Sequence, residues 1–205
     1  MNEPNASPAI LVEVRGSVAI VRFNRPFVRN SLSADVLISL DSVLSDLIPD
    51  HSLHAIIFTG GDNAFLAGAD IRELVTLDPH SAHRFSSKGQ QLFGRIAEAP
   101  QVTIAAINGY CMGGGLDFAL ACDIRIASST AIFSHPGARL GIITGWGGTQ
   151  RLPRIVGKAR AIEFFATARR LPSAEAQRIG LITEICDPVL EGALALAAKL
   201  AISTS

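Results

Sequence analysis

The sequence predicts a layered α/β domain, and three observations carry that prediction. Two apolar runs, residues 54–59 and 102–107, read as strands buried on both faces. Each is followed by a glycine-bearing loop that opens into a helix-like segment. Amphipathic helical patterns then alternate with strands along the rest of the chain, the arrangement expected of helices layered on sheets. At 205 residues the chain suits one domain with a substantial core. A hydrophobic share of 48% against 18% charged residues excludes a disordered protein.

Residues 1–8 read as a disordered lead-in, and 9–205 as the domain. Residues 10–14 and 18–23 alternate in polarity around Arg15-Gly16-Ser17 and read as a hairpin, ended by Asn24-Arg25-Pro26. Ser33 is placed to cap a helix whose apolar face is Val36, Leu37, Leu40, Val43, Leu44 and Leu47. The strand at 54–59 follows. Residues 79–97 predict a long helix, closed by Pro100. After the strand at 102–107 comes a glycine turn and a short apolar helix. Short strands are expected at 123–127, 131–133 and 181–185, and helices at 148–156, 158–168, 173–179 and 187–202. On the last helix Leu190, Ala193, Leu194, Ala197, Leu200 and Ala201 recur at helical spacing, a stripe suited to core, to a subunit interface or to both.

Charge and composition narrow the function. The net charge is zero, which gives no electrostatic footprint for nucleic acid. No apolar run is long enough to span a membrane, and no basic-then-apolar leader opens the chain. The five histidines show no metal-ligand spacing. Cys111, Cys122 and Cys186 form no CxxC and sit in apolar or turn contexts, as reduced structural thiols of a cytoplasmic protein would.

The most informative segment is Ile104-Ala105-Ala106-Ile107-Asn108-Gly109-Tyr110-Cys111-Met112-Gly113-Gly114-Gly115-Leu116-Asp117. Glycines at a strand-to-helix turn let the backbone approach a ligand and leave N–H groups free at a helix N-terminus, where they stabilise negative charge. Asp117 falls in the first helical turn, close enough to act on a substrate held there. Tight strand–helix packing, with Asp117 merely favouring the helix start, is the alternative. A second strand–glycine–helix passage, Phe65-Leu66-Ala67-Gly68-Ala69-Asp70-Ile71-Arg72-Glu73, allows two loops to supply one N–H each to a shared oxyanion.

With Cys122-Asp123-Ile124-Arg125-Ile126-Ala127 and Gly147-Gly148-Thr149-Gln150-Arg151-Leu152 following in order, these motifs resemble the enoyl-CoA hydratase/isomerase (crotonase) family from about residue 10 to the C-terminus. The resemblance implies a crotonase (ClpP-like) fold, a spiral of repeated ββα units with a helical C-terminal part. It implies an acyl-CoA thioester as substrate, no cofactor beyond the coenzyme A of that substrate, and a homotrimer or hexamer with no nucleic-acid or membrane partner. Family members usually continue past the position of Ser205 with further helices that help cover the pocket, so the domain is expected to lack those final helices.

The resemblance also assigns roles. The N–H groups of Ala69 and Gly114 would form the oxyanion hole. Asp117 falls where hydratases of the family carry the first of two catalytic glutamates. The second aligns with Gly137, in Ser134-His135-Pro136-Gly137-Ala138-Arg139-Leu140-Gly141, and has no side chain here. Relatives with special chemistry place an aspartate at Thr144 or at Gly145, and neither is acidic. His135 is the nearest titratable group to the gap, with a hydrogen-bonded loop residue as the plainer alternative. Ala67, Gly113, Asp70 and Ile71 would line or border the thioester and coenzyme A, with Arg25, Arg29 and Arg72 near the phosphates. Phe27 stands where many relatives have lysine. Asn30-Ser31-Leu32 would shape the thioester end, and Asp123 would fix a turn.

Competing chemistries lack their signatures. There is no Gly-x-Ser-x-Gly elbow, and Ser134 beside His135 shows no acidic partner in the sequence. A phosphate-binding Gly-x-x-x-x-Gly-Lys loop and a dinucleotide glycine fingerprint are also absent. The rival from another class is a non-catalytic or diverged crotonase-fold acyl-CoA binder, which Gly137 would favour.

Overall fold

The computed structural model describes residues 7–202. Most of the expected lead-in, residues 1–6, therefore lies outside the described residues. The strands are β1 (Ile10–Arg15), β2 (Val18–Phe23), β3 (Ala55–Thr59), β4 (Ala64–Leu66), β5 (Val102–Ile107), β6 (Tyr110–Met112), β7 (Ile124–Ala127), β8 (Ile132–Ser134), β9 (Leu171–Pro172) and β10 (Glu184–Ile185). The helices are α1 (Ala34–Leu47), α2 (Ile71–Leu74), α3 (Pro79–Ala97), α4 (Gly114–Ala121), α5 (Gly137–Leu140), α6 (Gly148–Val156), α7 (Lys158–Thr167), α8 (Ser173–Arg178) and α9 (Val189–Ile202), with a 3-10 turn at Pro26–Val28.

Two sheets organise the chain. The larger runs β1-β2-β3-β5-β7-β10, and the smaller β4-β6-β8-β9. Only β1 with β2 and β8 with β9 pair antiparallel; all other pairs are parallel. The chain alternates between the sheets. β3 is followed by β4 and a helical segment, β5 by β6 and α4, and β7 by β8 and α5. Each step adds one strand to each sheet and then one helical layer, which is the spiral of ββα units.

The expected long elements form for the reasons their patterns give. Ser33 accepts from the Val36 N–H and caps α1, whose Val36, Leu37, Leu40, Leu44 and Leu47 are buried. Strand β3 is buried at every residue, and its two faces serve different cores. Ile56 and Phe58 face the main core, while Ala55 and Ile57 face a second cluster. That second cluster is closed by α9, whose Val189, Ala193 and Ala197 pack with Ile104, Ala106 and Ile126. Leu190, Leu194 and Leu200 are partly buried against the same surface. Part of the stripe on the last helix is thus seated on the large sheet.

Several short elements differ from expectation. The strand expected at 181–185 shrinks to Glu184–Ile185, because Leu181 and Ile182 bury as a turn after α8. Strands β4, β6 and β9 and helix α5 carry no pattern of their own. The second sheet exists because β4 pairs with β6 and β6 with β8, partners far apart in sequence.

Helix α4 is fixed at its centre. Phe118 meets Phe58, Phe23, Phe93 and Phe65 edge-on, with centroids 5.0, 5.4, 5.4 and 6.0 Å away. Such edge-to-face contacts add about 0.5–1.5 kcal/mol each beyond area burial. They hold the helix, and with it the glycine turn at its N-terminus, in one position.

Candidate active site

Two backbone loops converge at the N-terminus of α4. Gly68, at φ +98°, precedes Ala69, and Gly113, at φ +51°, precedes Gly114. Both glycines hold a left-handed conformation that disfavours any side chain. A β-carbon on Gly68 would stand 2.8 Å from the Met112 carbonyl and 3.1 Å from the Gly114 nitrogen. One on Gly114 would lie 3.4 Å from the Ala69 nitrogen. The two peptide nitrogens are therefore close neighbours, and neither N–H has a backbone acceptor among the described residues. The first loop is held in place by Leu32, which donates its N–H to the Gly68 carbonyl and accepts from the Asp70 N–H. Asn30 braces it further by donating to the Ala64 and Phe65 carbonyls.

These loops form one end of a cavity of about 240 Å³. Its other walls are apolar, built from Leu74, Leu77, Ala82, Phe85, Leu140 and Ile143. Asp117 and His135 reach it from different elements. Both are buried, at 1% and 4% exposure. His135 Nε2 lies 3.2 Å from Asp117 Oδ1, and the Thr144 hydroxyl donates to Asp117 Oδ2. Gly148 leaves room for this carboxylate, since a β-carbon there would fall 2.1 Å from Oδ1. The Phe165 ring packs edge-on to His135 at 5.0 Å. The acidic partner that His135 lacked in the sequence is thus Asp117. Ser134 is buried with its hydroxyl donated to the Ala168 carbonyl, which leaves it unsuited to act as a nucleophile.

The structure gathers most of the expected site. Ala67, Ala69, Ile71, Gly113, Gly114, Asp117, His135 and Gly137 all line the cavity. Gly137 opens α5, and a β-carbon there would meet the Ile142 carbonyl at 2.5 Å. Asp70 sits just outside as the cap of α2, paired with Arg72 at 2.7 Å. The Arg72 guanidinium and a hydrogen bond from Ser31 hold its carboxyl down at about 2, against desolvation. Arg25, Phe27 and Arg29 lie away from the cavity. Arg25 donates to Ser33, Phe27 is fully exposed, and Arg29 stacks over Tyr110 at 5.6 Å. Asp123 binds the Thr103 N–H and hydroxyl, fixing the turn before β7.

Sequence reasoning missed Trp146 and the Thr144 hydrogen bond. Trp146 is buried between Phe85 and Phe93, donates to the Phe85 carbonyl and backs Gly114. A lone tryptophan beside a glycine pair was the only available signal. Burial pushes the Cys111 and Cys122 thiols up, as befits structural groups. Among the described residues no cluster of three or more His, Cys, Asp or Glu could hold a metal ion, and no helix is long and apolar enough to cross a membrane.

Comparison with known proteins agrees with this architecture. Residues 13–205 match the family model described as enoyl-CoA hydratase/isomerase. A short-chain-enoyl-CoA hydratase of Clostridium acetobutylicum is 41% identical over 87% of this chain and 69% of its own length. A crotonyl-CoA hydratase of Syntrophomonas wolfei is 39% identical over the same shares. The crystal structure of an enoyl-CoA hydratase from Bacillus anthracis superposes with a TM-score of 0.91 at 36% identity, covering 95% of this chain and 77% of that one. On sequence and on fold, the chain belongs to the enoyl-CoA hydratase/isomerase family.

Proposed function

We propose that this protein binds an acyl-CoA thioester in the cavity and acts on it as an enoyl-CoA hydratase or isomerase, through an enolate held in an oxyanion hole. The observation that supports the reading is that the Ala69 and Gly114 peptide nitrogens are close neighbours on two loops lining the cavity. A thioester oxygen between them would gain negative charge as its α-carbon becomes carbanionic. Preorganised donors of this kind are worth about 3–4 kcal/mol each. Asp117 supplies the carboxylate of the acid–base machinery, and the apolar walls receive the acyl chain. The thioester and the two donors supply the electronics, so the reaction as proposed draws on no further cofactor. Names of relatives support the acyl-CoA class, including the short-chain-enoyl-CoA and crotonyl-CoA hydratases.

Coenzyme A phosphates would lie toward Arg25, Arg29 and Arg72. These arginines already have intramolecular partners, so binding would exchange those contacts for phosphate. A second reading rests on Gly137. With no side chain there, the fold would serve as an acyl-CoA binder that no longer turns over. Crotonyl-CoA hydration measured beside direct crotonyl-CoA binding separates the two. Binding with turnover supports the enzyme, binding alone the second reading, and no binding removes both.

A further inference from the structure

We propose that His135 is a catalytic acid–base residue of this site, aimed by Asp117, with its Nδ1 as the atom that carries the proton. The proposal rests on the acyl-CoA reading above and specifies its chemistry.

Two histidines with ring hydrogen bonds make the argument by contrast. His54 has both ring nitrogens engaged: Nδ1 meets the Ser17 hydroxyl at 2.7 Å and Nε2 the Ala197 carbonyl at 3.0 Å. That is how a structural imidazole is satisfied. His135 is buried and engaged on one side only. Its Nε2 faces Asp117 Oδ1 at 3.2 Å; in the proposed tautomer Nε2 donates to that oxygen and Nδ1 keeps its lone pair. Nδ1 has no hydrogen-bond partner among the described residues. Gly137 adjoins it, its β-carbon position lying 3.8 Å from Nδ1 and 2.5 Å from the Ile142 carbonyl. His135 and Gly137 line the same cavity as Ala69 and Gly114. Asp117 has one oxygen on His135 and the other on Thr144. It is therefore a positioning residue, acting through His135 by fixing the tautomer and the ring.

The proton balance closes without any other group. Nδ1 takes a proton from water as the water oxygen bonds to the β-carbon. The double-bond electron pair moves onto the thioester oxygen, between the Ala69 and Gly114 N–H groups. The pair then returns, the α-carbon takes the proton from Nδ1, and the imidazole is neutral again with one water added. In isomerisation the same nitrogen removes an α-proton from a 3-enoyl thioester and delivers it to the γ-carbon.

The test uses the whole chain, with crotonyl-CoA for hydration and 3-butenoyl-CoA for isomerisation, and calorimetric binding of crotonyl-CoA. Wild type is compared with His135→Gln and Asp117→Asn, with folding checked by circular dichroism. His135→Gln is expected to lower kcat about 10²–10⁴-fold with KM and binding unchanged. Asp117→Asn is expected to lower kcat at unchanged KM, since an amide can reverse the tautomer. Should both variants fail to fold, diethyl pyrocarbonate modification of wild type decides: His135 must be modified, and crotonyl-CoA must protect it. Absence of binding by wild type overturns the acyl-CoA reading itself. Binding without either reaction removes the enzyme reading as a whole and this proposal with it. Two outcomes overturn this proposal alone: a His135→Gln variant with wild-type kcat, or modification indifferent to ligand.

Discussion

The Trp146 ring lies directly against Gly114, so close that a β-carbon on Gly114 would fall 2.5 Å from ring atoms Cε3 and Cζ3. The indole cannot retreat, because Phe85 and Phe93 flank it and its Nε1 donates to the Phe85 carbonyl. The absence of a side chain at 114 therefore sets where the α4 N-terminus sits relative to Ala69.

Gly114→Ala is expected to destabilise the fold by about 1–3 kcal/mol, the usual cost of overpacking a close-packed site. It should also reduce crotonyl-CoA turnover more than binding, because the Gly114 N–H moves relative to Ala69. Urea unfolding and steady-state kinetics check both. Wild-type stability together with wild-type turnover would show that the indole yields freely and that this contact sets nothing.

Phe118 tests the support beneath the same turn. Phe118→Ala removes a ring that touches four other phenylalanines. A loss of about 3–5 kcal/mol is expected, a large part of a typical domain's stability of about 5–15 kcal/mol. The check is urea unfolding of both proteins. A loss below about 1 kcal/mol would mean that the cluster collapses to fill the space.

How much of this was legible beforehand depends on whether the cause was local. Helix α1 could be read from Ser33 and its apolar spacing, and β3 and β5 from runs buried on both faces. The glycine loops at 68 and 113 announced themselves by composition and family resemblance. Strands β4 and β6 could not be read, because three-residue strands gain their identity from pairing with segments tens of residues away. For the same reason the contact of Asp117, His135 and Thr144 was hidden. Three elements must fold before those side chains meet, and neither periodicity nor spacing encodes that meeting. Arg25, Phe27 and Arg29 join the site by resemblance alone, and nothing in their local sequence shows that they lie outside the cavity lining.

Asp70 offers a pH test of the loop that carries Ala69. Its folded carboxyl lies at about 2 against an unperturbed 3.8, chiefly through Arg72. A depressed acid contributes stability above its unfolded value and loses it as pH falls through the folded one. The window is thus from 3.8 down to about 2. Because the Arg72 side chain is 73% exposed, screening limits the effect to about 1 kcal/mol or less. Asp70→Asn keeps a capping side chain but not the charge. Its stability deficit, read by urea unfolding, should shrink across that window, and a deficit independent of pH would refute the assignment.

The α9 stripe is only partly used up by the large sheet: Ala193 and Ala197 are buried there, while Leu190, Leu194 and Leu200 are partly buried. Exposed apolar groups remain around the cavity, among them Ile71, Ile142 and Ile143. The expected homotrimer or hexamer would show in light scattering at micromolar concentration as three or six times the mass of one chain. Replacing Ile143 by Asp should lower that mass if this face is the contact. A monomeric wild type would remove the expectation.

The last prediction concerns Gly137. A carboxylate at this position is the obvious repair for a site that resembles a two-glutamate hydratase, yet the geometry argues against it. Any side chain must displace the Ile142 carbonyl, 2.5 Å from the β-carbon position, and a glutamate would enter the space beside His135 Nδ1. Gly137→Glu is therefore expected to lose turnover, both by shifting the 137–142 turn and by engaging the nitrogen that should meet substrate. Gly137→Ala carries the same β-carbon without the charge and isolates the first effect. Overpacking should cost each variant about 1–3 kcal/mol, and the glutamate should be the less active of the two. Crotonyl-CoA hydration by both folded variants settles the point. Higher turnover in Gly137→Glu than in wild type would mean that the cavity favours a pair of carboxylates over an aspartate–histidine pair.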